Sequence, residues 1–194
     1  MEEARQSIEW RGIILLCLTG GRINLDQDKI VVGWREWLAL PDLGIKAIKA
    51  KIDTGARTSS LHTFGLEPFE QDGKLKVKFG IHPLQRREDI AVRCIADVSD
   101  YRRVTSSDGQ SEKRYIIVTN VALKGSIWQV EISLANRESM RFRMLLGRVA
   151  ISGKLVVDPE KSYLCGRRLS KQYAKRPVRK AISRRKLPPA KPTH

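Results

Sequence analysis

The sequence predicts a mainly β chain, a barrel or sandwich of many short strands, and two observations carry that prediction. Apolar residues recur at every second position in several short runs, the period of a strand with one face buried. Glycine-, proline- and aspartate-containing turns punctuate those runs at near-regular spacing. At 194 residues, with 41% hydrophobic and 30% charged residues, the chain has globular proportions and can bury a core.

Taken in order, residues 1–28 show no clear period and contain the Gly20-Gly21 breaker. Ile13–Leu18 is apolar but far short of the ~20 residues that span a bilayer. It follows Glu2, Glu3 and Glu9, where a secretion signal carries basic residues. This stretch reads as a short buried or irregular segment, or as the product of a start assigned too early. Ile30–Trp34 is strand-like, and Pro41 ends the region. Ile45–Ile52 places apolar residues at 45, 47, 48, 50 and 52 and runs directly into Asp53-Thr54-Gly55-Ala56. Further strands are expected at Ser59–Thr63, Leu75–Ile81, Ile90–Val98, Arg114–Leu123 and Ile127–Leu134. The last two bracket Lys124-Gly125-Ser126, a hairpin signal. Between Val104 and Glu112 lies a polar loop with Asp108-Gly109 as its turn. One short helix is expected near 148–153, then short strands at Leu155–Val157 and Tyr163–Cys165. The chain thus divides into an N-terminal extension (1–28), a β domain (29–166) and a basic tail (167–194) read as disordered. No internal repeat is present.

The net charge is +16, and much of it is local. Residues 167–194 hold eleven Lys or Arg and no acid, leaving 26 basic against 21 acidic residues, a net of +5, over residues 1–166. Such a tail attracts polyanions by counterion release, so a weak nucleic-acid contact stands beside the alternative of a solvated extension. Cys17, Cys94 and Cys165 are odd in number and scattered, which argues against a disulfide framework and fits a reducing cytosol. His62, His82 and His194 are isolated from one another, and neither HExxH nor CxxC occurs. Gly147–Leu155 mimics a phosphate loop but has one residue too many between its glycines and no Ser or Thr after Lys154. No metal, cofactor or membrane partner is therefore expected.

The segment with chemistry in it is Ala50–Ala56, in which an apolar strand delivers Asp53 to a tight turn. Gly55 is expected to take backbone angles closed to other residues, so that a following amide points back at the carboxylate. Thr54 is expected to brace the loop through its hydroxyl. Alone, Asp-Thr-Gly reads better as a strand-ending turn. Much later in the chain comes Met144-Leu145-Leu146-Gly147-Arg148, two apolar residues and a glycine.

Together, Asp53-Thr54-Gly55-Ala56 and Leu145-Leu146-Gly147-Arg148 resemble the motif pair of retropepsins. More narrowly, residues 53–62 (DTGARTSSLH), 136–148 (NRESMRFRMLLGR) and 156–166 (VVDPEKSYLCG) are similar to bacterial proteins described as ATP-dependent zinc proteases. The resemblance implies a closed barrel of the acid-protease type. It makes Asp53, with Thr54 and Gly55, the catalytic loop, and Leu146, Gly147 and Arg148 its structural support. Ala56, Arg57 and Ser59 would contact a peptide or protein substrate. Relatives often accompany ATP-grasp ligases, so such a ligase is an implied functional partner. The family's descriptive name mentions ATP and zinc, but this sequence contains no motif for either. It also departs from the viral pattern: Arg57 follows DTGA where an acid is usual, the two motifs lie further apart, and no glycine-rich flap is evident.

Aspartic proteolysis uses two carboxylates sharing one proton. This chain has one DTG, so a working pair requires Asp53 from each subunit of a homodimer. Three functions remain open at this point: an aspartic-type peptidase or amide hydrolase, a non-catalytic binding module of the same fold, and a nucleic-acid-associated protein using its tail.

Overall fold

The computed structural model describes residues 29–85, 87–105, 109–136 and 142–173. The N-terminal extension with Cys17, Asp108 of the expected turn, Arg137 and the tail beyond Tyr173 lie outside the described residues. Eleven strands are present among them: β1 (Ile30–Gly33), β2 (Arg35–Leu40), β3 (Ile45–Asp53), β4 (Ser59–His62), β5 (Phe64–Gln71), β6 (Lys74–Ile81), β7 (Val92–Thr105), β8 (Ser111–Leu123), β9 (Ser126–Ala135), β10 (Met144–Gly147) and β11 (Leu155–Asp158). One short helix, α1 (Arg148–Ile151), follows β10, and 3-10 turns cover Pro41–Leu43 and Arg168–Tyr173.

Nine strands form one sheet in the order β2-β3-β10-β4-β9-β8-β7-β6-β5, while β1 and β11 pair in parallel as a separate ribbon. The chain is mainly β, as its alternation predicts. Beyond that order, β2 also meets β8 through one residue pair, Ala39 and Ala122. Strands β5 to β7 continue beyond that junction.

Local chemistry explains the connections. Pro41 opens the turn between β2 and β3, and Gly44 closes it at φ 67° while donating its amide to the Pro41 carbonyl. Asp42 ties this turn to β8. Its carboxylate accepts the Asn120 amide at 2.8 Å and the Asn120 and Thr119 side chains at 3.3 Å. The Asn120 backbone N–H is the main reason its carboxyl titrates below the usual range. Lys124 and Gly125 both have positive φ, the geometry that matches the twist of a two-residue hairpin.

Two strands extend past what alternation reveals. β5 contains Gly65 and Pro68, which read as breakers; it forms because it is the sheet's edge strand, where a missing N–H costs no ladder bond. β7 runs on to Thr105 because its outer half pairs with the start of β8 in a largely exposed arm, Arg114 excepted, where no apolar period is required.

The core gathers Leu38, Leu40, Ile45, Ile48, Leu61, Ile117, Ile132 and Leu146 from six strands. Trp128 is buried and donates its indole N–H to the Ala150 carbonyl at 3.1 Å, pinning α1 to the sheet. The expected strand at Tyr163–Cys165 is instead an irregular segment. It is held by Glu36, a fully buried carboxylate that accepts the backbone amides of Gly33 (2.8 Å), Leu164 (2.7 Å) and Cys165 (3.3 Å).

Candidate active site

Asp53 ends β3, and β10 lies parallel beside it with Leu146 opposite Ile52 and Gly147 opposite Asp53. On its other side β10 pairs antiparallel with β4, at Leu145 and Ser60. The two motifs therefore sit in adjacent strands, and the loop 54–58 that follows Asp53 is clasped by the residues that follow Leu146. The Arg148 amide donates to the Ala56 carbonyl at 2.7 Å, and the Val149 amide to the Arg57 carbonyl at 3.1 Å. The Arg148 guanidinium donates to the Thr54 carbonyl at 3.4 Å.

Gly147 makes this clasp sterically feasible. A Cβ there would lie 2.6 Å from the Thr58 carbonyl carbon and 2.8 Å from the Ser59 nitrogen. Its backbone (φ −81°, ψ 168°) suits any residue, so the requirement is space alone. Gly55 behaves differently from the sequence expectation. It is not among the residues with positive φ, and a Cβ on it would meet only Asp53 Oδ1, at an ordinary 3.5 Å.

The remaining sequence-named residues separate into two groups. Leu146 is fully buried beneath the site. Ser59 is buried too: its hydroxyl accepts the Gly147 amide at 3.0 Å, and its carbonyl accepts the Ser133 hydroxyl at 3.1 Å. Thr54 engages through its carbonyl, and its side chain is exposed. Asp53, Gly55, Ala56 and Arg57 line an open groove of ≈ 730 Å³ with Ser60, Arg102–Thr105 and Arg114. The Asp53 side chain is 21% exposed and pairs with Lys51, Nζ to Oδ2 at 3.2 Å; Lys51 is 43% exposed. In such water-facing surroundings the pairing is weak and leaves the carboxylate accessible.

Sequence reasoning did not find the far wall of this groove. Residues 102–105 of β7, together with Arg114 of β8, bring Arg102, Arg103 and Arg114 over the Asp53 loop. With Lys51 and Arg57 the lining holds, among the described residues, five cationic side chains and one acid, Asp53. The strand period carried no hint of this, because the arm's residues alternate without an apolar face. Five cations around one carboxylate disfavour a divalent metal. Among the described residues, no three His, Cys, Asp or Glu side chains gather as metal ligands would, so zinc finds no donor set here. Also among these residues, no helix is long and apolar enough to cross a membrane.

The fold matches the crystal structure of Lpg0085, a Legionella pneumophila protein of unknown function, with a TM-score of 0.59 at 23% identity, over 70% of this chain and 98% of that one. Proteins named "Probable alpha-L-glutamate ligase" are similar in sequence. That of Shewanella pealeana is 47% identical over 142 residues, covering 73% of this chain and 31% of its own length. That of Desulfotalea psychrophila is 42% identical over 162 residues, covering 81% of this chain and 35% of its own. The chain thus spans about a third of the length of the curated relatives it matches. A family model described as "Retropepsin-like aspartic endopeptidase RimB" matches residues 31–168, and with the Asp53 loop clasped by Leu146-Gly147-Arg148 the chain belongs to the RimB-like, retropepsin-like family.

Proposed function

We propose that this protein is an aspartic-type amide hydrolase that acts as a homodimer on acidic peptides. The observation that carries the reading is Asp53 itself: a strand-end carboxylate, accessible to water, on a loop clasped by the second motif, in a groove whose other charged side chains among the described residues are cations. The scaffold supports it, because the ring of pairings β2-β3-β10-β4-β9-β8 meets at Ala39–Ala122 and is read as the acid-protease barrel.

In this reading the two Asp53 carboxylates of a symmetric dimer share one proton. The ionised member takes a proton from a bound water, whose oxygen attacks the amide carbonyl. The protonated member gives its proton to the carbonyl oxygen. As the resulting diol collapses, the C–N bond breaks and a proton passes to the departing amine. Leu146, Gly147, Arg148 and Ser59 hold the loop, while Ala56, Arg57 and Ser60 border the substrate path.

The substrate class follows from charge. Lys51, Arg57, Arg102, Arg103 and Arg114 favour a chain of carboxylates. The similar proteins carry the name "Probable alpha-L-glutamate ligase", and glutamates joined by amide bonds are such a chain. A hydrolase for those bonds, working beside an ATP-grasp ligase, is the role we assign. Incubation of the full chain with an α-linked pentaglutamate peptide, followed by mass spectrometry, tests it. Shorter products from wild type and none from Asp53→Asn are expected. Equal cleavage by both proteins excludes Asp53 chemistry, and binding without cleavage by wild type leaves the non-catalytic module.

A further inference from the structure

The five cations of the groove are not equivalent. Arg57 and Arg103 are exposed, and Lys51 is occupied with Asp53. Arg102 is fully engaged, donating to Asp100 at 3.0 Å and to Glu131 at 2.7 Å. Arg114 is the exception: its side chain is only 6% exposed, yet it lines the groove.

Its partnering is also incomplete. Nε donates to Glu112 Oε1 at 2.6 Å, and Nη2 crowds the same oxygen at 2.5 Å. Only the Nε contact has hydrogen-bonding geometry; Nη2 is buried in ion-pair contact with that oxygen but makes no well-aligned hydrogen bond. A buried donor left in this state is costly, and native proteins keep few of them. The position is costly in a second way. Arg114 pairs directly across the β7–β8 ladder with Arg102, and like charges facing one another across strands repel. Two acids offset Arg102, whereas Arg114 faces the groove with one carboxylate oxygen on its flank.

A carboxylate entering the groove would add a negative charge beside the Arg114 guanidinium, which lines it opposite Arg102. An exposed arginine keeps its water and attracts any anion. A buried, positioned one reads a particular group, because the wrong group leaves it unpaired. We infer that Arg114 is the specificity-determining residue of the groove, a fixed receptor for one carboxylate of an acidic peptide. This rests on the reading of the groove as a substrate site, but it concerns recognition and can be measured without turnover.

The test uses the full chain carrying Asp53→Asn, to separate binding from cleavage. Its probes are α-linked pentaglutamate and variants in which each Glu in turn is Gln. With Arg114 present, one position should show a 10–100-fold loss of affinity on Glu→Gln, and the others smaller losses. Adding Arg114→Gln should abolish the preference at that position and leave the others as they were, an effect a merely structural role would not produce. Arg114→Lys, which keeps the charge but not the fork, should restore part of the preference. It also serves should the Gln variant fail to fold. An unchanged positional profile in the Arg114 variants, or no binding of any acidic peptide, overturns the inference. Position-selective binding by the Asp53→Asn protein, with no cleavage by wild type, sinks the hydrolase reading and leaves Arg114 its role.

Discussion

Replacing Gly147 by alanine tests the physical link between the two motifs. The added Cβ would sit 2.6, 2.7 and 2.8 Å from three backbone atoms of Thr58 and Ser59. Ordinary contact begins near 3.4 Å, so each atom must retreat by about 0.6–0.8 Å. None is the end of a flexible side chain. The β10 side cannot yield cheaply, since Met144–Gly147 is bonded to β3 in register. The β4 side is held by the Ser133 hydroxyl on the Ser59 carbonyl. Overpacking costs typically ~1–3 kcal/mol, and this site belongs at the upper end. Parting the strands also lengthens the bond from the Gly147 amide to the Ser59 hydroxyl, for about 1 kcal/mol more. A loss of ~3–4 kcal/mol is expected. Urea denaturation followed by tryptophan fluorescence reads it as a midpoint lowered by roughly 1.5–2 M, at a slope of about 2 kcal/mol per M. Gly55→Ala is the control: with its Cβ at an ordinary 3.5 Å and no positive φ to preserve, it should stay within ~0.5 kcal/mol of wild type. If Gly147→Ala unfolds as late as Gly55→Ala, the close approach of β10 to the Thr58–Ser59 backbone does not govern the site.

Four further outcomes are expected. Mixing equal amounts of wild type and Asp53→Asn and allowing subunits to exchange should reduce cleavage per wild-type chain to about half, because mixed dimers hold one catalytic carboxylate; undiminished activity argues against a shared site. Glu36→Ala strips the acceptor from three backbone amides and should cost ~3 kcal/mol or more by denaturant melts, with early proteolysis near residues 161–166; a neutral result means water replaces the carboxylate. Burial pushes the Cys94 and Cys165 thiols up to about 11, and a raised thiol value means less thiolate at any lower pH. Their labelling by iodoacetamide in the native protein should therefore be slow at pH 8 and rise about tenfold per pH unit, and fast labelling of both at pH 8 contradicts this. Truncation after Tyr173 removes eight Lys and Arg while sparing the Tyr173 hydroxyl that accepts the Lys46 amide at 3.1 Å. The truncated protein should melt like the full chain but bind RNA more weakly and with a flatter salt dependence; unchanged binding ends the case for the tail as a polyanion element.

What could be read in the sequence was what local pattern encodes. Ile45–Asp53 alternates because one face of β3 packs on the core, and that alternation delivers Asp53 to its turn. Leu145–Arg148 was legible as a motif, and its register against β3 then followed as pairing. The hidden features depend on partners distant in the chain. Glu36 sits in Trp34–Leu40 like any solvent-facing acid, and nothing local shows that residues 164 and 165 return to it. Gly55 and Gly147 look alike as letters. The reason to keep each glycine lies in what approaches it, and only Gly147 has backbone against its α-carbon.

Arg114 carries this logic furthest. At the start of Arg114–Leu123 it reads as the polar boundary of a strand, a place where arginine usually faces water. The β7–β8 pairing instead sets it opposite Arg102 and under the arm, where its charge is only partly answered. Its partner Glu112 is 49% exposed and can return to water when Arg114 is replaced, so an apolar side chain at 114 strands no buried charge. Arg114→Met therefore separates stability from recognition. It should hold or raise the urea midpoint while abolishing discrimination between Glu and Gln at the position Arg114 reads. A large loss of stability would instead mark Arg114 and Glu112 as a structural pair, and would take the receptor role from it.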